Sequence, residues 1–159
     1  MGFFDSFFKN NPQKEKEDLF KFESQRLIQI VTDSMDIINN TKNVNTAIGR
    51  FDTISQMVRR LSEIKPATSD FKLKLEGNDL LASNGIEFIE DFKGKWILNF
   101  FTIKINTELD KADLLSDKKL KVSQLKKALK IALDSISYLP DSAAIRPIIV
   151  DIELKITQA

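Results

Sequence analysis

The chain has no cysteine and no histidine. Without thiols it has no disulfide, no thiolate nucleophile and no Cys-ligated metal, which excludes a small secreted disulfide scaffold. Without imidazole it has no Ser-His-Asp or Cys-His catalytic group, no zincin helix, and no Glu-x-x-His pair of the kind that holds di-iron in helical bundles. Phosphate-cradling glycine loops are missing too: neither GxGxxG nor GxxxxGK[ST] occurs. The longest uncharged run in the middle of the chain, Trp96 to Ile103, is far short of the ~20 residues a membrane-spanning helix needs. No excess of one charge exists either, since 24 Lys and Arg face 23 Asp and Glu for a formal +1. A surface built wholly for nucleic acid or anionic lipid normally carries a clear basic excess.

What remains is an ordinary globular composition tilted toward helix, 42% hydrophobic and 30% charged, in 159 residues, a length that fits one domain. The first residues lack a basic n-region, and Asp5 and Lys9 interrupt any apolar h-region, so no secretory leader is expected and the cytoplasm is the expected location. The Asn39-Asn40-Thr41 sequon then has no glycosylation role.

Helical spacing dominates the chain. Residues 86–115 hold the only tryptophan, and their apolar residues Phe88, Ile89, Phe92, Trp96, Phe100, Ile103 and Leu109 recur at three- and four-residue steps, which predicts one long helix buried on that stripe. Leu98, Phe101 and Ile105 form a second stripe and place this helix among several neighbours. Before it, a helix from Gln13 to about Asn39 presents Leu19, Phe20, Leu27, Ile30, Val31 and Ile38. A polar break over 39–43 separates that helix from another over Val44–Ile64, bearing Ala47, Ile48, Phe51, Ile54, Val58 and Leu61. The short break predicts an antiparallel hairpin.

Residues 67–85 read as helix capped by Ser69 or Asp70, although Phe71-Lys72-Leu73-Lys74-Leu75 alternates like a strand. Ser116 and Asp117 cap a helix running to about Leu139, with Val122, Leu125, Leu129, Ala132, Leu133 and Ile136 inward. Asp141 begins a last helix with Ile145, Ile148, Ile149, Ile152 and Ile156 at helical spacing. Alternation over 150–156 leaves a strand open there, but Pro147 favours the first turns of a helix over the middle of a sheet. The expected fold is all-α: a single-domain bundle of about five or six helices over 12–159, preceded by a separate segment over 1–11. Helical-repeat stacking and an α+β fold with a small sheet are the alternatives.

The segment MGFFDSFFK sets Phe3, Phe4, Phe7 and Phe8 on one arc of a short helix, and Asn10-Asn11-Pro12 then breaks the chain. Burying four Phe side chains at ~1.5–3 kcal/mol each gains roughly 6–12 kcal/mol, while ordering nine backbone residues costs about 1–2 kcal/mol apiece. The terms nearly cancel, so the helix forms only against an existing surface. That surface is either a groove of its own bundle or a separate partner. The expected function is therefore a non-catalytic interaction or adaptor module docking through Phe3, Phe4, Phe7 and Phe8 onto a protein partner or a second copy of the chain. Laying the same face in a lipid interface is the alternative; it gains little attraction, because Glu15, Glu17 and Asp18 offset Lys14 and Lys16. Met1 to Ser6 also fits the loose N-myristoylation pattern, with a bulky Phe beside Gly2 as a poor match.

Lys119, Lys126 and Lys130 share one helical face and are candidate contacts for an acidic partner, with a solvated face as the simpler reading. The cluster has no arginine to read base edges and no interleaved aromatic platform, so nucleic acid is not an expected partner. Glu87, Glu90, Asp91, Glu108, Asp110 and Asp113 are the carboxylates from which an acid/base enzyme, the third hypothesis, would be built. Nothing in the pattern points to a cofactor, a metal or a small-molecule substrate.

Overall fold

The computed structural model describes residues 12–159 except 68, 71, 76, 82, 83 and 140; of residues 72, 73, 78, 79 and 81 it describes the backbone alone. The fold is all-α. Its helices are α1 (Pro12–Asn40), α2 (Val44–Ile64), α3 (Gly85–Asp113), α4 (Lys118–Ser135) and α5 (Arg146–Gln158), with a 3₁₀ turn at Ile136–Tyr138. The chain divides into two compact units between Asp91 and Phe92, inside α3.

In the first unit α1 and α2 form the expected hairpin. Asn43 caps α2, its side chain accepting a hydrogen bond from the Asn45 amide at 2.9 Å, and the Thr41 hydroxyl accepts one from the Asn43 amide at 3.1 Å. These bonds satisfy donors that a helix start leaves orphaned, so the reversal is written locally. Phe20, Leu27, Val31, Met35 and Ile38 on α1 are buried, as are Val44, Ala47, Phe51, Ile54, Val58 and Leu61 on α2. Leu19, expected inward, is instead 44% exposed.

The helix expected over 67–85 does not form. Strand β1 (Lys72–Leu75) pairs antiparallel with β2 (Asn78–Leu81), in a register that sets Leu73 opposite Leu80 and Leu75 opposite Asn78. Gly77, in the turn, has φ of 82°, a left-handed conformation that costs glycine little and other residues more. Leu75 and Leu80 are buried. The Lys-Leu-Lys-Leu alternation was thus the true local signal, and two four-residue strands suffice because Leu75 and Leu80 are buried. Gly85 opens α3 where a Cβ would lie 2.4 Å from Val58 Cγ1. Only a residue without a side chain lets α3 start so close to α2.

In the second unit α4 and α5 pack with the later turns of α3. The buried cluster is Ile105, Ala128, Ala132, Ile145 and Ile152, flanked by Leu98, Leu109, Leu129, Ile148 and Ile156. Asp117 caps α4 as expected, accepting from the Leu120 amide at 3.0 Å. Residues 146–158 are helical, with Pro147 in the first turn where its missing N–H costs nothing. Asp141 does not cap this helix; it accepts from the Ala143 amide at 2.9 Å in the turn before it. Leu133 and Ile136, expected inward, are exposed.

Of the two stripes expected on α3, the first is buried only at Ile89, whereas the second is buried at Phe101 and Ile105. Ile89, Ile97, Phe101, Ile105 and Ala112 are the buried residues, whereas Phe88, Phe92, Trp96, Phe100 and Leu109 are half-buried and Ile103 is 58% exposed. Trp96 stacks on Phe100 with ring centroids 5.2 Å apart, and Phe101 meets Tyr138 at 5.5 Å. Apart from Phe101, the rings of α3 flank the core, while Ile89, Ile97, Ile105 and Ala112 enter it.

Candidate interaction surface

Phe3, Phe4, Phe7 and Phe8 lie outside the described residues. The surface that directly follows them does not. Every residue from Pro12 to Leu19 on α1 is exposed, and Phe22, one turn beyond Leu19, is exposed to 62%. Two large apolar side chains thus stand on the outer face of α1, in its first three turns.

Beside them an open groove of about 560 Å³ lies where the start of α1 meets the end of α2. Its apolar lining is Leu19, Ile64, Pro66 and Ala67; its polar lining is Gln13, Lys16, Glu63 and Lys65. Pro66 ends α2 because a proline cannot continue the helix, and the Lys65 ammonium donates to the Pro66 carbonyl at 3.2 Å.

One turn deeper in the same hairpin sits a residue that sequence reading passed over. Glu23 occupies a core position of α1, three residues after Phe20 and four before Leu27, and its side chain is only 5% exposed. The Arg60 guanidinium of α2 donates to Glu23 Oε1 at 3.1 Å, and Arg26 lies 3.8 Å from Oε2. Oε2 accepts no hydrogen bond among the described residues. Glu23 and Arg60 are roughly equidistant from the interhelical loop, as antiparallel packing requires, so the pair fixes the register of the hairpin. The signal was present: an acidic residue on an apolar stripe needs a cation opposite it.

Lys119, Lys126 and Lys130 are all exposed on α4, on the side away from buried Leu125, Ala128 and Ala132. Lys130 reaches Asp134 at 3.2 Å, with the two side chains 79% and 60% exposed. Such a pair contributes at most ~1 kcal/mol. A second open basin, of about 600 Å³, is lined by Lys118, Lys121, Lys155 and Asp113, and Lys155 is itself paired with Asp151 at 3.3 Å. The three candidate lysines are not part of it.

The carboxylates do not converge. Glu87, Glu90, Asp91, Asp110 and Asp113 are exposed, and Ser55 donates to Glu90 at 3.2 Å. Glu108 is half-buried, paired with Lys111 at 3.3 Å and hydrogen-bonded by Gln124. Among the described residues no three acidic side chains stand close enough to hold a metal ion. No described helix is long and apolar enough to cross a membrane. Comparison of the chain with family models, with curated proteins and with solved structures returns no match.

Proposed function

We propose that the chain is a non-catalytic interaction module of the cytoplasm that docks through the Phe3, Phe4, Phe7 and Phe8 face onto a protein partner or a second copy of itself. The observation that carries this reading is the exposed Leu19 and Phe22 on the helix that follows the segment. Large apolar side chains left exposed in the helix that follows a Phe-rich segment are the kind of surface that is normally covered in a working assembly. Exposed charges of both signs surround it, Lys14 and Lys16 with Glu15, Glu17 and Asp18, as at the polar rim of a protein interface. The same mixture gives anionic lipid no net attraction, which favours protein over membrane.

The test is deletion of residues 1–10 in the otherwise complete chain. Far-UV circular dichroism is expected to be unchanged apart from the missing residues, while light scattering and affinity capture lose the association that the full chain shows. A deletion that unfolds the domain, or one that associates as the full chain does, overturns the reading. Sedimentation with anionic vesicles by the full chain but not by the deletion would replace it with the lipid alternative.

A further inference from the structure

We infer that the corner between α3 and α4 docks on an anionic lipid surface, with Leu114 and Leu120 entering the interface and Lys118, Lys119 and Lys121 meeting the headgroup charge. This contact goes beyond the reading above: it is separate from the N-terminal face and lies wholly within the second unit.

The corner holds the most exposed large apolar side chain among the described residues. Leu114, in the turn after α3, is 85% exposed, and Leu120, in the first turn of α4, is 58% exposed. Neither belongs to the buried cluster of the unit or packs against it. Only residues 114–117 separate the two helices, so the chain itself keeps both leucines and the first-turn lysines within about 20 Å of one another. The turn is held by the Leu115 amide, which donates to the Ala112 carbonyl at 3.1 Å, and by the Asp117 carboxylate, which accepts from the Leu120 amide at 3.0 Å.

The charge around these leucines has one sign in excess. Residues 113–127 carry Lys118, Lys119, Lys121, Lys126 and Lys127 against Asp113 and Asp117, and none of the five lysines has an ion pair among the described residues. The positive end of α4 adds to them. Lys118 and Lys121 also line the open basin of about 600 Å³ with Ser116 and Lys155, Asp113 being its one acidic side chain, so headgroup phosphates have a recess at the same corner. The near-neutral total of the chain does not oppose this, because at physiological salt a charged surface is felt over only ~8 Å.

Composition favours lipid over a protein partner here. Protein interfaces are depleted in lysine and anchored by Trp, Tyr and Arg, and residues 113–127 contain none of those three. Lysine is a point charge on a flexible stem, which suits a fluid layer of headgroups, and a leucine that protrudes this far enters a deformable layer without needing a matching pocket.

Vesicle co-sedimentation of the full chain tests the contact. Wild type is expected to pellet with phosphatidylcholine vesicles that contain phosphatidylserine, less so as salt is raised, and to stay in solution with phosphatidylcholine alone. Lys118→Ser with Lys119→Ser is expected to weaken binding about 25-fold, at ~fivefold for each lysine near an anionic surface. Leu114→Ser with Leu120→Ser is expected to weaken it further, by roughly tenfold for each leucine. All four positions are exposed, so the circular dichroism of both variants should match wild type. A chain with Phe3, Phe4, Phe7 and Phe8 replaced by Ser is expected to bind these vesicles as wild type does. Wild type that stays in solution with both kinds of vesicle overturns the inference and leaves the protein-partner reading of the N-terminal face standing. A leucine variant that binds like wild type also overturns it, since charge attraction alone then suffices. If the Phe-less variant loses binding while the corner variants keep it, the lipid contact belongs to the N-terminal face, and both this inference and the protein-partner reading fall.

Discussion

Glu23 is the place where the hairpin is most open to a decisive perturbation. Its carboxylate is 5% exposed, held by Arg60 at 3.1 Å, and has one oxygen without a hydrogen-bond donor among the described residues. Removing one partner of a fully buried ion pair costs ~3–5 kcal/mol, because the other charge is left desolvated. Arg60 is 56% exposed, and Arg26 lies within 3.8 Å, so solvent and a second cation reduce that cost. Arg60→Met, which keeps the aliphatic stem, is therefore expected to cost about 1–3 kcal/mol. Glu23→Leu removes the desolvated acid and continues the Phe20–Leu27 stripe, so it is expected to be neutral or to stabilise by ~1–2 kcal/mol. In the Glu23→Leu background the Arg60→Met cost should vanish, because no buried charge remains to be stranded. Urea unfolding followed by circular dichroism reads the series, a 2 kcal/mol loss moving the midpoint by about 1 M for a typical dependence on urea. Hydrogen exchange of α1 and α2 amides locates it. If Glu23→Leu destabilises by more than about 1 kcal/mol while Arg60→Met is silent, the carboxylate is not in the environment described and the register argument falls.

Two further substitutions probe packing that the backbone imposes. Gly85→Ala improves intrinsic helix propensity yet brings a Cβ to 2.4 Å from buried Val58, so a net loss of about 1–2 kcal/mol is expected in thermal or urea unfolding, and a gain would refute the close contact between α2 and α3. On α3, Ile105→Ala should cost about 2–5 kcal/mol and Ile103→Ala about 0.5 kcal/mol or less; similar losses at both positions would mean that the buried stripe has been assigned to the wrong side.

The sequence by itself located the five helices and where most of them stop, while wrongly offering a further helix over 67–85. A 3.6-residue recurrence of apolar side chains, Asn43 and Asp117 in front of helices, Pro66 behind one and Pro147 inside the first turn of another are local causes with local effects, and these boundaries agree with the structure to within a few residues. Side selection on α3 was not local. That helix is apolar around most of its circumference, so Trp96 and Ile103 satisfied periodicity as well as Ile97 and Ile105 did, and only the packing neighbours decided that Ile97, Phe101 and Ile105 go inward while Trp96 and Phe100 stay at the edge. Residues 72–81 were undecidable for a related reason: a four-residue strand has no meaning until a partner strand and a core exist to receive Leu75 and Leu80. Glu23 stands on the apolar stripe between Phe20 and Leu27, but which cation answers it is decided only when α2 brings Arg60 across from it. Local free-energy preferences of a few tenths of a kcal/mol per residue name the elements, whereas burial and desolvation terms of a few kcal/mol per side chain, present only when elements meet, decide which faces they turn to one another.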